Sequence, residues 1–434
     1  MLINLSFGRS CVHLFRSRIS AMSSHEELRI ARRNTAGLID HAESYFSAAH
    51  HQGLMAIYAH PRQGREVDIV FDGFPARRIT DFVRCSYLGL DNHPAVVDGA
   101  IRALTDYGAL HWSCARTRLN FAILRDLEST LADLFRARII TYTTVLAANM
   151  GALPIVASGH LTGGVRPLMA FDQHAHATLA FHKGTIALET EVRTIGHNDL
   201  NMLEDLCRAN KSVAYVCDGV YSMGGNAPME DLLSLQDRYG LFLYIDDAHG
   251  ISIWGQNGEG FARSHFGSDL GSRTIIAASL GKGFGASGGM LMLGTARQEE
   301  LFRRFAVAHA FSASLNVAAI GAAIESAAIH SSGELAKRQK ALKSNIELLD
   351  SLLQTEQTGA QLPIRTVALG SEERAVAATR GLLDKGIYSS AIFFPTVAKG
   401  RAGIRVCVTA DHTDEQVRDL CTALSGAVRR QSGT

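Results

Sequence analysis

Apolar positions early in the chain recur at helical spacing. Leu28, Ile30, Ala31, Leu38 and Ile39 fall on one face, which predicts an amphipathic helix between about residues 26 and 60. Two short strands are expected at Val67–Phe71 and Ile79–Phe82, split by the turn residues Asp72-Gly73. From residue 93 onward helix and strand alternate. A helix is predicted over Pro94–Tyr107, with proline suited to its first turn. A second carries Ile123, Leu124, Leu127, Leu131 and Leu134. Short, continuous apolar runs at Leu168–Phe171, Val213–Cys217, Leu241–Ile245 and Thr274–Ala277 read as strands buried on both faces, with helical stretches between the first three. The expected fold class is therefore α/β: a mostly parallel sheet covered by helices on both faces. A long helical stretch from about 314 to 355 precedes Ile364–Ala368 and Ile404–Val408, which predict a small C-terminal α+β domain. The organisation expected is an N-terminal helix with short strands over 26–92, a large domain over 93–330 and a small domain over 331–434.

Composition narrows the function classes. Lysine and arginine total 43 against 42 acids, a net charge of +1, so no field favours nucleic acid or an anionic membrane. No apolar run approaches the length of a membrane span. Seven cysteines without C-x-x-C spacing argue for a reducing compartment and against structural zinc. Residues 1–25 hold Arg9, Arg16 and Arg18 and no acid. They read either as an organelle-targeting presequence or as a surplus start before Met22. The compartment expected is the cytoplasm, or the mitochondrion if the segment is a presequence.

The chemistry concentrates at strand ends. Asp246-Asp247-Ala248-His249 closes the strand Leu241–Ile245, at the carboxyl edge where open α/β sheets place ligands. Lys282 follows in the glycine-rich turn Ser279-Leu280-Gly281-Lys282-Gly283. A lysine amine and a nearby carboxylate are what pyridoxal phosphate requires, one for its aldehyde and one for its pyridine nitrogen. A solvated loop and an ordinary strand-end acid are the alternative. Further stations fit the cofactor reading. Thr144, Val145 and Leu146 open a helix whose free N–H groups suit phosphate. His176 follows another strand, where an imidazole can lie over a ring; His174-x-His176 lacks a third zinc ligand, so no metal is expected. Ser222 follows Asp218, and Arg405 lies within a late strand. An arginine there pairs either with a protein carboxylate or with a substrate's.

Tyr87-Leu88-Gly89-Leu90, His93-Pro94, Ala147-Ala148-Asn149, His176-Ala177-Thr178, His197-Asn198-Asp199, Tyr221-Ser222-Met223, Asp246-Asp247-Ala248-His249, the Lys282 turn and Arg405 through His412-Thr413 occur in one order. Together they resemble the α-oxoamine synthases, pyridoxal-phosphate enzymes of the aspartate-aminotransferase fold, over roughly residues 65 to 425. The resemblance implies that Lys282 is the Schiff-base lysine and proton-transfer base, and that Asp246 pairs with the pyridinium. It implies that His249 and Ser222 bind the phenolic oxygen, that His176 stacks on the ring, and that Ser279 holds phosphate with the N–H groups near Val145 and Leu146. Arg405 is then the receptor of the amino-acid carboxylate. Ser312 reaches phosphate in the neighbouring subunit of a homodimer with shared active sites. The implied reaction condenses an α-amino acid with an acyl thioester, on coenzyme A or a carrier protein, with loss of CO2.

Two departures bear on substrate. The family usually has asparagine where this chain has Cys85, a position that helps hold the substrate carboxylate. His111 and Trp112 replace part of a glycine-rich stretch lining the acyl side. A divergent member with a reshaped pocket is expected. Aldol cleavage or transamination, and a non-catalytic partner subunit, are the alternatives.

Overall fold

The computed structural model describes residues 35–71 and 74–432. The segment 1–25, the first part of the expected N-terminal helix and the Asp72-Gly73 turn lie outside them. That helix runs over Thr35–His51 and does not reach residue 60. Gly53, at a φ of 66°, turns the chain away. It then enters β1 (Tyr58–Pro61), β2 (Glu66–Phe71) and β3 (Phe74–Asp81), which pair antiparallel in sequence order.

The helix Pro94–Tyr107 forms as expected. The His93 side chain accepts from Ala95 N, Pro94 occupies the first turn, and Gly108 in the left-handed region ends it. A second helix, Ala122–Phe135, leads into β4 (Arg138–Tyr142), and a third, Val145–Ala157, follows at once. Next come β5 (Leu168–Asp172), β6 (Val192–Ile195), β7 (Val213–Asp218), β8 (Phe242–Asp246), β9 (Thr274–Ser279) and β10 (Gly289–Leu293). Helices Leu200–Ala209 and Met229–Tyr239 cross between β6, β7 and β8.

These strands make one seven-stranded sheet in the order β4-β10-β9-β8-β7-β5-β6. Five strands run parallel, and β10 is antiparallel to both β9 and β4. Every residue of β5, β7, β8, β9 and β10 is buried. Their unbroken apolar sequences follow from that: neither face meets water, so neither face selects polar residues. One core layer packs Leu127, Leu131, Leu232 and Leu243 on one side, and another packs Ala148, Leu153, Phe171 and Phe242 on the other.

The helical stretch expected over about 314–355 is two helices, Val317–His330 and Gly333–Leu352, broken where Ser332 caps the second by accepting from Glu334 N. The last part holds β11 (Ile364–Gly370), β12 (Ile387–Tyr388), β13 (Ser390–Ile392) and β14 (Ala402–Cys407). Strands β11, β14 and β13 form a three-stranded sheet flanked by helices Glu372–Leu383 and Asp414–Ser432. Strand β12 pairs parallel with β3, so the N-terminal sheet is completed by a strand from near the chain's end. No described helix is long and apolar enough to cross a membrane.

Candidate active site

A cavity of about 350 Å³ opens at the carboxyl ends of the parallel strands. The register explains which side chains meet there. Asp218 and Asp246 end adjacent strands and are direct partners across β7 and β8. Asp246 also faces Ala277 of β9, two residues before Ser279. The chain then turns through Lys282 and returns as β10, whose first residue, Gly289, lies against the backbone of Thr144 and Val145. A Cβ at Gly289 would fill the space that brings this turn against the helix terminus.

The amine of Lys282 is 2.7 Å from Nε2 of His249, and Nδ1 of His249 is 2.6 Å from the Tyr87 hydroxyl. Burial holds the His249 imidazole well below its usual range, reinforced by the nearby Lys282 and Arg405 charges. A neutral ring accepts from the amine at Nε2 and donates from Nδ1 to Tyr87. Burial also lowers the Lys282 ammonium from the usual lysine range, while Asp246 acts in the opposite sense. A base with a lowered pKa is what proton transfer near neutral pH requires.

Asp246 is held in place. Asn149 Nδ2 donates to its Oδ2 at 3.3 Å, Ala248 N donates to its Oδ1 at 3.1 Å, and Tyr244 donates to Asn149 Oδ1 at 2.8 Å. Asp218 accepts from His176 N at 3.0 Å, and burial first, then the neighbouring Asp246, pushes its carboxyl well above the usual range. His176 caps a short helix, Ala177–Ala180, its Nδ1 accepting from Thr178 N at 3.3 Å and lying 2.8 Å from the Thr178 hydroxyl. At the cavity's other end the Thr144 side chain accepts from Ala147 N at 3.0 Å. That cap leaves the N–H groups of Val145 and Leu146 directed outward at a helix amino terminus, which suits a phosphate. Ser279 and Ser287 add hydroxyls to the same wall. The set of one amine, two carboxylates, two imidazoles and a helix-terminal anion seat fits pyridoxal phosphate in donor chemistry and in charge.

Of the residues singled out from sequence, Thr144, Val145, Leu146, His176, Asp246, His249, Ser279 and Lys282 line this one cavity. Cys85 and Arg405 stand behind it, with Arg405 Nη2 at 3.8 Å from Cys85 Sγ. Ser222 and Ser312 are not among the lining residues. His111 and Trp112 are exposed, and Trp112 packs on Phe121 with ring centroids 4.3 Å apart. Asn149, Asp218 and Tyr87 stand in the motifs read from the sequence but were assigned no role there. Asp218 was legible in principle, because it closes one strand as Asp246 closes the next. Asn149 and Tyr87 become functional only through tertiary contacts. Among the described residues, no group of three or more histidines, cysteines and acids is placed to hold a metal.

The fold is that of the pyridoxal-phosphate-dependent transferases of fold type I. The serine palmitoyltransferase of Sphingomonas wittichii superimposes with a TM-score of 0.79 at 22% identity, over 93% of this chain and 99% of that one. A serine palmitoyltransferase solved with pyridoxal phosphate superimposes equally, with a TM-score of 0.79 at 22% identity, over 92% of this chain and 100% of that one. In sequence, the 8-amino-7-oxononanoate synthase of Alkaliphilus metalliredigens is 31% identical over 363 residues, 81% of this chain and 87% of that protein. The serine palmitoyltransferase of Bacteriovorax stolpii is 31% identical over 352 residues, 78% of this chain and 79% of that protein. Residues 86–424 match the family model described as aminotransferase class I and II. The chain belongs to that family, in its α-oxoamine synthase branch.

Proposed function

We propose that this protein is a pyridoxal-phosphate-dependent acyltransferase that condenses an α-amino acid with an acyl thioester, releasing CO2 and free thiol and leaving an α-amino ketone. The observation that carries this reading is the Lys282 amine, buried and hydrogen-bonded to His249 within a cavity that also presents Asp246 and a helix amino terminus.

Bound pyridoxal phosphate supplies an electron sink for the substrate's α-carbon. The residues of this chain do the rest. Lys282 would hold the cofactor's aldehyde, and its amine, lowered by burial, would take the proton from the substrate's α-carbon. Asp246, fixed by Asn149, would pair with the pyridine nitrogen, and His176 would stack on the ring. Val145 and Leu146 N–H groups and Ser279 hold the phosphate. His249 would serve the phenolic oxygen, and Arg405 would receive the amino-acid carboxylate. Ser312 acts in the neighbouring subunit of a homodimer. His111 and Trp112 shape the acyl-thioester side and narrow it relative to a glycine-rich stretch.

The test is a product analysis with a mixture of 1-13C-labelled amino acids and acyl thioesters on coenzyme A and on a carrier protein. The expected result is equal release of 13CO2, free thiol and an α-amino ketone for at least one pairing. Amino-group transfer or retro-aldol products, with the thioester left intact, would replace this reading by another reaction of the same cofactor.

A further inference from the structure

The loop between β3 and the helix Pro94–Tyr107 lies alongside the end of β14. Cys407 N donates to Phe82 O at 2.8 Å, and Ala410 N donates to Tyr87 O at 2.8 Å. Cys85 sits between these two ties. Arg405 and Cys407 are two residues apart on β14, so their side chains emerge on the same face of that strand. Since Arg405 Nη2 reaches Cys85 Sγ at 3.8 Å, that shared face is turned toward Cys85. Cys85 packs against the core cluster that contains the fully buried Cys407. The result is two cysteines on one side of β14, beside a guanidinium.

The electrostatics act in the same sense. A hydrogen bond from the Cys407 thiol, then the Arg405 and Lys282 charges and the Tyr87 hydroxyl, hold the Cys85 thiol well below the usual range. Cys407 is moved in the opposite direction, first by burial. The two shifts run in opposite directions, so Cys85 is the sulfur favoured as thiolate and Cys407 the one favoured as thiol, which are the attacking and resolving roles of a redox pair. Nothing in the proposed acyl transfer uses either sulfur as a nucleophile.

We propose that Cys85 and Cys407 are an oxidant-responsive modification site, at which a hydroperoxide converts the two thiols to an intramolecular disulfide. In the first step the Cys85 sulfur attacks one peroxide oxygen. The O–O bond breaks, a sulfenic acid forms, and the second oxygen leaves as water or alcohol after protonation. In the second step the Cys407 sulfur attacks the Cys85 sulfur, the S–S bond forms, and the hydroxyl leaves as water with the Cys407 proton. Two thiols lose two electrons in total, and the peroxide gains them. The disulfide removes the anion that faces Arg405 and ties the loop to β14, so reduction by a thiol restores the original site.

The test uses the full-length, cofactor-loaded protein treated with hydrogen peroxide, alkylated and mapped without reduction. The expected product is a peptide pair joined through Cys85 and Cys407 that dithiothreitol separates. It should form roughly tenfold or more faster than oxidation of Cys114, the exposed thiol. Cys85→Ser should abolish the link, and Cys407→Ser should leave a Cys85 sulfenic acid that dimedone traps. If Cys407→Ser does not fold, dimedone competition in the unsubstituted protein replaces it: added before peroxide, it should lower the yield of linked peptide and label Cys85. Absence of the link, or oxidation of Cys114 ahead of Cys85, overturns the proposal.

Discussion

At the scale of single residues, the site depends on what holds its charged groups still. Asn149 spans Asp246 and Tyr244, donating to one and accepting from the other. Removing it strands a buried tyrosine hydroxyl, at a cost of about 1–3 kcal/mol, and frees the carboxylate to turn. Asn149→Ala should therefore lower stability by about that amount and weaken cofactor retention. Combining it with Tyr244→Phe should return part of the stability, because the orphaned hydroxyl is gone, but not the retention. Urea denaturation and a cofactor-binding titration separate the two effects. Equal stability losses in the single and double variants would show that Asn149 acts in another way.

At the scale of elements, the Lys282 turn is supported from behind by the helix Val317–His330. The Ser326 hydroxyl donates to Phe284 O at 2.5 Å, and His330 stacks on the Phe284 ring with centroids 4.5 Å apart. The same imidazole is 2.8 Å from the Ser252 hydroxyl, and burial lowers it to about 4. Between that value and the ordinary histidine range the unfolded chain binds the extra proton and the folded chain does not. Stability therefore falls as the pH drops through this window, by about 2 kcal/mol from pH 7 to pH 5 for this one group. Urea midpoints at the two pH values should show the loss, and His330→Gln should remove about that share of it. An unchanged slope would remove His330 from the account. This helix also crosses Pro94–Tyr107 at Gly321 and Gly99, where a Cβ on Gly321 would fall on the Gly99 carbonyl. Gly321→Ala should cost about 1–3 kcal/mol, since backbone rather than a flexible side chain must give way. Gly333→Ala, at a position with nothing within 4 Å, should be neutral or slightly stabilising.

Elements also show how far the chain could be read unaided. The central strands were legible because burial on both faces leaves unbroken apolar runs. Pro94–Tyr107 was legible because its cap and its stop are local. The strand β10 was not, because Gly289–Leu293 is a short apolar run after a glycine-rich turn, and periodicity does not separate such a run from a helix start. The edge strand β6 was missed for the opposite reason: Arg193 and Thr194 are exposed, so no apolar run marks it. The site residues at strand ends and at the Lys282 turn could be singled out, since each lies where local sequence announces a sheet edge or a helix terminus. Tyr87 and Asn149 belong to recognisable motifs, but their roles could not be read, because those arise only when distant segments meet.

At the scale of the whole molecule, topology gathers groups from five strand ends and one turn around a single amine. Asp218 and Asp246 come together because β7 and β8 are neighbours in register, and Lys282 meets them because β9 must turn back into the antiparallel β10. His249 and Tyr87 link that amine to the loop that packs on β14. Under the proposed function the cofactor is joined to Lys282. Borohydride reduction of the pyridoxal-phosphate-loaded protein, followed by peptide mapping, tests it directly. The expected result is one pyridoxyl group per chain on Lys282, with none in Lys282→Ala, which should still fold and show no turnover. Pyridoxyl on another lysine, or stoichiometric labelling that survives Lys282→Ala, would contradict it.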